Sequence, residues 1–155
     1  MTETDPPSTA RVLYLDDLHV GQRFTSEPYS LDEAQIKSFA SQFDPQPFHL
    51  DGEAARQSLF VSLAASGWHT AAITMRLLVQ SVPIAGGVIG AGAEVTWPMP
   101  VRPGFQLHVQ SEVTEIRPSR SNPQRGIVTV KTETLNQHGE VVQVLVSRLV
   151  VPKRG

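Results

Sequence analysis

Cysteine is absent from the 155 residues, so disulfides, thiolate metal centres and a cysteine nucleophile are excluded at the outset. An excess of positive charge is missing too. The 13 Lys and Arg stand against 15 Asp and Glu, a formal net charge of −2. With no basic run to hold a polyphosphate backbone, nucleic acid is not an expected partner. Long hydrophobic runs are also lacking. The stretch from Val141 to Val151 is broken by Gln143, Ser147 and Arg148, too short and too polar to cross a bilayer. His19, His108 and His138 have no carboxylate cluster beside them, so no metal site is expected.

Residues 1–10 are polar and rich in Pro, Ser and Thr, unlike a secretory signal or a membrane anchor. A cytoplasmic protein with no membrane partner is expected. These ten residues hold too little apolar surface to offset the entropy of ordering them, and they read as a disordered lead. Residues 11–155 read as a single domain, long enough to bury roughly two-thirds of the surface its unfolded form exposes.

What is present divides by period. Ser30 and Glu33 have capping-box spacing, and behind them Ile36, Phe39, Ala40 and Phe43 form an apolar helical stripe. Proline disfavours helical geometry in the residue before it, so this helix should end at Asp44-Pro45. Asp51 is suited to cap a short helix through Glu53, Ala54 and Ala55. From Gly67 a longer helix is predicted over Trp68–Val82, with Ala71, Ala72, Met75, Leu78, Val79 and Val82 as its apolar face. Pro83 stops it.

Beyond that point the period is two. Phe105, Leu107, Val109, Ser111 and Val113 alternate with polar residues as a half-buried strand should. Further strands are predicted at Val88–Trp97, Gly126–Asn136 and Glu140–Val151, the last two joined at Gln137-His138-Gly139. Because the final strand is apolar on both faces, it should lie inside the sheet or against another surface. Helices followed by antiparallel strands, with a long helix packed on them, place the chain in the α+β class.

The segment Phe43-Asp44-Pro45-Gln46-Pro47-Phe48-His49 holds a carboxylate and an imidazole five residues apart across two prolines. Each proline fixes a backbone torsion, so the intervening loop is stiff and the two side chains can keep a fixed relation, which proton transfer requires. Spacing alone also fits a plain helix end, a turn and a structural histidine.

Asp44, Pro47 and His49 match an Asp, a Pro and a His at the spacing of the MaoC-like, R-specific enoyl-CoA hydratase family, and the segment resembles that family's signature. Ala65-Ser66-Gly67-Trp68-His69-Thr70 resembles the segment that opens its central helix. Pro100-Val101-Arg102-Pro103-Gly104 resembles a strand-connecting turn of the same family. Phe43, Gln46 and Phe105 stand where the family usually has Gly, Asn and Asp, which points to an altered acyl pocket.

The resemblance implies a hotdog fold, an antiparallel β-sheet wrapped around a long central helix, and a homodimer or higher homo-oligomer. It also implies reversible addition of water to a trans-2-enoyl thioester of CoA or acyl carrier protein, without a cofactor. Asp44 and His49 would hold the water, and the Gly67 N–H would support the enolate oxygen. Close helix–strand packing is an equal explanation of Gly67. His69 is expected to bond a neighbouring backbone group or face solvent. Trp97 is expected to be structural and Arg102 an exposed turn residue, though CoA phosphate is a possible partner for it. A hotdog thioesterase and a non-catalytic acyl-CoA binding module remain alternatives to hydration.

Overall fold

The computed structural model describes residues 11–155, so the ten-residue lead lies outside the described residues. Two short strands that hydropathy alone did not disclose, β1 (Arg23–Thr25) and β2 (Tyr29–Ser30), precede the helices. They are followed by α1 (Glu33–Phe43), α2 (Pro47–Leu50), α3 (Gly52–Arg56) and α4 (Gly67–Ser81). Four longer strands complete the chain: β3 (Ile89–Thr96), β4 (Gln106–Pro118), β5 (Arg125–Leu135) and β6 (Val141–Pro152).

The sheet is antiparallel with strand order β1-β4-β5-β6-β3, and β2 also pairs with β4. The final strand does lie within the sheet, hydrogen-bonded to β5 and β3 on either side. Along β4 the alternation falls as predicted, with Leu107, Val109, Ser111 and Val113 buried. Edge strand β3 instead exposes most of its residues. No helix among the described residues is long and apolar enough to cross a membrane.

Helix α4 feeds both halves of the core. Leu78 joins Leu18, Val113, Val130 and Leu149 in one apolar cluster, while Ile73 and Leu77 join Leu31, Ile36, Leu107 and Val109 in the other. The face it buries agrees with the predicted one at Leu78 and Val82 and differs elsewhere. His69, Thr70, Ile73, Thr74, Leu77 and Leu78 point inward, whereas Met75 and Val79 are 39% and 47% exposed. The cause is a buried hydrogen-bond chain. The Thr74 hydroxyl meets that of Thr134 at 2.6 Å and accepts from Gln143 Nε2 at 2.9 Å; Gln143 Oε1 in turn accepts from Trp97 Nε1 at 2.9 Å. Satisfied in this way, threonine can occupy the core, and hydropathy misplaces the stripe.

A second correction concerns the start of α1. Ser30 lies in β2, and the N-cap is Asp32. Its carboxylate accepts from Gln35 N at 2.8 Å while Gln35 Oε1 accepts from Asp32 N at 2.8 Å. The reciprocal box is present, displaced by two residues from Ser30/Glu33. Asp32→Ala is therefore expected to lower stability by about 1 kcal/mol and Ser30→Ala by less than about 0.5 kcal/mol, read from urea unfolding. The reverse order would overturn this capping assignment.

Candidate active site

Asp44 closes α1: its backbone N–H still donates to Ala40 O, while its torsions have left the helical region ahead of Pro45. Pro47 then starts α2, where the missing N–H is no loss because a first-turn N–H has no helical partner. The presumed stiff loop is thus partly a helical turn, and that turn carries His49 inward, 4% exposed.

The pair predicted from spacing comes together, with His49 Nε2 3.3 Å from Asp44 Oδ2. On the other side of the ring, Nδ1 lies 2.7 Å from Ala64 O. A carbonyl only accepts, so Nδ1 carries a proton, and Nε2 is the ring atom turned toward the carboxylate. Phe48 meets the imidazole edge-on at a centroid distance of 4.6 Å, and Phe60 lies 5.8 Å away.

Ser66 and Gln46 complete the carboxylate's surroundings; sequence reasoning gave Ser66 no role and Gln46 only that of a departure at the acyl pocket. The Ser66 hydroxyl donates to Asp44 Oδ2 at 2.6 Å and accepts from Trp68 N at 3.2 Å, so one side chain caps α4 and fixes the acid. A serine directly ahead of a helix is a recognisable N-cap signal; its bond across 22 positions is not. Gln46 donates to Asp44 Oδ1.

Burial pushes the Asp44 carboxyl up. The hydrogen bonds from Ser66 and Gln46 and the adjacent His49 together outweigh that and hold it below its ordinary value.

Gly67 begins α4 and lines the same cleft. A Cβ at this position would lie 2.7 Å from Trp97 Cε2, so the indole can seat here only against a glycine. The packing explanation of Gly67 therefore has a direct cause. Trp97, held by Gln143, is structural as predicted and also lines the cleft. The cleft encloses about 410 Å³. Asp44 and His49 lie within it, as do Phe48 and Phe60 from the helical side and Met99 and Val101 from the segment before β4.

The remaining candidates fall elsewhere. Arg102 is half-buried rather than an exposed turn residue. Its guanidinium donates to Phe60 O and Ser62 O at 2.6 Å each, clasping the loop that brings Phe60 to the cleft. His69 is 7% exposed and stacked on Phe39, with Nδ1 unpartnered among the described residues, so neither solvent nor a backbone bond to that atom accounts for it. Phe43 is 70% exposed and lines a different cavity. Phe105 packs against the core cluster around Leu107. Among the described residues no group of His, Asp and Glu is arranged to hold a metal ion.

Residues 17–136 match the family model of the MaoC like domain. The crystal structure of a MaoC-like dehydratase from Rhodospirillum rubrum is 60% identical, with a TM-score of 0.91 over 92% of this chain and 99% of that one. The unliganded R-hydratase PhaJ1 from Pseudomonas aeruginosa is 27% identical, with a TM-score of 0.75 over 91% and 86% of the two chains. An uncharacterised protein of Bacillus subtilis (strain 168) is 36% identical across 126 residues, 79% of this chain and 87% of that protein. The sheet around α4 is thus the hotdog fold of these structural neighbours.

A carboxyl whose folded pKa lies below its unfolded one adds stability that is complete above the unfolded value and disappears as pH falls through the folded value. For Asp44 the unfolded reference is 3.8. The stability difference between wild type and Asp44→Asn should therefore be constant around neutrality and shrink below pH 3.8. Urea unfolding across the acid range measures it, and a difference that persists unchanged to the lowest pH would contradict the arrangement.

Proposed function

Because the chain belongs to the MaoC-like family, we propose that it hydrates trans-2-enoyl thioesters and dehydrates the corresponding 3-hydroxyacyl thioesters, with Asp44 and His49 sharing the reacting water. The observation that carries this reading is the approach of the Asp44 carboxylate and His49 Nε2 to 3.3 Å inside one cleft, with His49 Nδ1 engaged by Ala64 O. A single water in the cleft can contact both groups, with a proton passing to or from either. The Pseudomonas aeruginosa neighbour, an R-hydratase, supports the same reaction class.

In the hydration direction the water oxygen attacks the β-carbon while one of the pair removes its proton. The π electrons move toward the thioester carbonyl, whose oxygen gains negative charge, and the α-carbon then takes a proton from the pair. Ser66 and Gln46 hold Asp44 ionised and oriented, and Ala64 fixes the orientation of the His49 ring. Gly67 N–H, at the positive end of the 15-residue helix α4, is proposed as the donor to the enolate oxygen. Phe48 and Phe60 keep bulk solvent from the far side of the imidazole. The carrier is CoA or acyl carrier protein, and the cleft itself needs no cofactor for this chemistry.

Asp44→Asn and His49→Ala should each lower kcat/KM by on the order of 10²- to 10⁴-fold. The measurement is loss of enoyl conjugation absorbance over a panel of enoyl-CoA thioesters, run beside a free-thiol assay. Thiol release in place of hydration would transfer the assignment to a thioesterase. Acyl-CoA binding without either reaction would leave a binding module.

The assembly proposed is a homodimer. Met75 and Val79 on α4 and Ile89 on edge strand β3 are exposed, and an apolar groove runs between α4 and the β3–β6 part of the sheet. Exposed edge strands and apolar patches of this kind call for cover. Sedimentation should return about twice the 16.9 kDa chain mass, and a monomer at micromolar concentration would exclude the dimer.

A further inference from the structure

The imidazole of the cleft is held by a backbone carbonyl, and that carbonyl belongs to a segment gripped from outside the cleft. His49 Nδ1 meets Ala64 O at 2.7 Å, and Ala64 N donates to Phe48 O at 3.3 Å. Ala64 is fully buried, but the chain just ahead of it stands in solvent, with Leu59 102% and Val61 69% exposed. A carbonyl orients a ring only as well as its own chain is fixed.

Val61 is where that chain is strained. Its φ of +66° lies in the left-handed region, and no other non-glycine residue among the described residues has a positive φ. A β-branched side chain is unfavourable there, and such a torsion persists only where the surroundings impose it. Released, it would return to negative φ and carry the flanking carbonyls with it.

Arg102 supplies the constraint. Nη2 donates to Phe60 O at 2.6 Å, and Nη1 donates to Ser62 O at 2.6 Å and to Leu63 O at 3.4 Å. The guanidinium thus bridges the carbonyls on both sides of Val61, and every hydrogen bond it makes among the described residues goes to this backbone. Its neighbour Val101 accepts from Ala65 N at 2.9 Å, so residues 101 and 102 hold the chain on either side of Ala64. A planar fork spans two carbonyls in a fixed relation, whereas a lysine ammonium is a single point on a flexible stem.

Resting on the hydration reading above, we propose that Arg102 is a positioning residue of the Asp44–His49 pair: by holding Val61 in its strained torsion it places Ala64 O, and through that carbonyl the imidazole. Arg102 is not among the residues that line the cleft, so it acts on the reaction only through this backbone.

The test compares wild type, Arg102→Lys, Val61→Gly and the double variant. One readout is the NMR signal of His49 Hδ1, which is visible only while the bond to Ala64 O shields that proton from exchange with water. The other is kcat and KM for hydration of a trans-2-enoyl-CoA. In Arg102→Lys the Hδ1 signal should be lost and kcat should fall by about 10- to 100-fold, as a small misplacement of a reacting group does, with the fall in kcat exceeding any change in KM. Glycine adopts positive φ without strain, so Val61→Gly alone should keep the signal and the double variant should recover both readouts. Should Arg102→Lys not fold, Val61→Pro takes its place, because proline forces negative φ between the clasped carbonyls, and the same losses are expected.

A folded Arg102→Lys with a lowered urea midpoint but an intact Hδ1 signal and kcat marks a merely structural arginine and overturns the proposal. A double variant no better than Arg102→Lys overturns it too, because the strain at Val61 is then not what the clasp resists. Hydration by wild type and by Arg102→Lys alike leaves the reaction standing and removes the positioning role. An Hδ1 signal lost in Arg102→Lys and regained in the double variant, with no hydration by wild type, does the opposite.

Discussion

One hydroxyl holds the site together. Ser66 Oγ donates to the Asp44 carboxylate and accepts from the first turn of α4, so the end of α1 and the beginning of the central helix are joined through a single side chain. An ionised oxygen makes this a charge-assisted bond, stronger than a neutral one. The carboxylate lies at the N-terminus of α4, where the positive end of the helix dipole also favours its charge. Were α4 differently placed on the sheet, Asp44 would be a half-buried carboxylate left with the local Gln46 donor alone, a less favourable state.

The sheet determines where that helix lies. Thr74 reaches Thr134 on β5 and Gln143 on β6, and Gln143 extends the chain of bonds to Trp97. The indole in turn rests on Gly67, where no Cβ fits. A polar network inside the core therefore positions one wall of the cleft, while Arg102, by clasping the carbonyls of Phe60 and Ser62, positions another. Each device is a directional bond, and directional bonds give the narrow geometry that proton transfer requires.

Parts of this were open to reading in the chain. The strand alternation at residues 105–113 and the proline that ends α1 are local signals, and the structure places both where periodicity and backbone sterics put them. The Asp44–His49 pair was legible as a spacing, and the two side chains do meet. The inward face of α4 was misjudged because Thr70 and Thr74 are polar by composition and core by partnership. Asp32 was passed over as a cap because Ser30 offered the same spacing, and only the pairing of Ser30 with Gln106 shows that it belongs to a strand.

Composition, period and motif by themselves determined the α+β class, the absence of thiol chemistry and the five-residue spacing of Asp44 and His49, because these depend on residues close in sequence. Tertiary structure alone decided the partners of those groups. Ser66 lies 22 positions from Asp44, Ala64 lies 15 from His49, and Gln143 lies 46 from Trp97. It also decided that His69 would be buried with an unpaired nitrogen. The physical reason is that a hydrogen bond is short and directional: whether two distant residues form one depends on how the sheet curves around α4, and no local pattern records that.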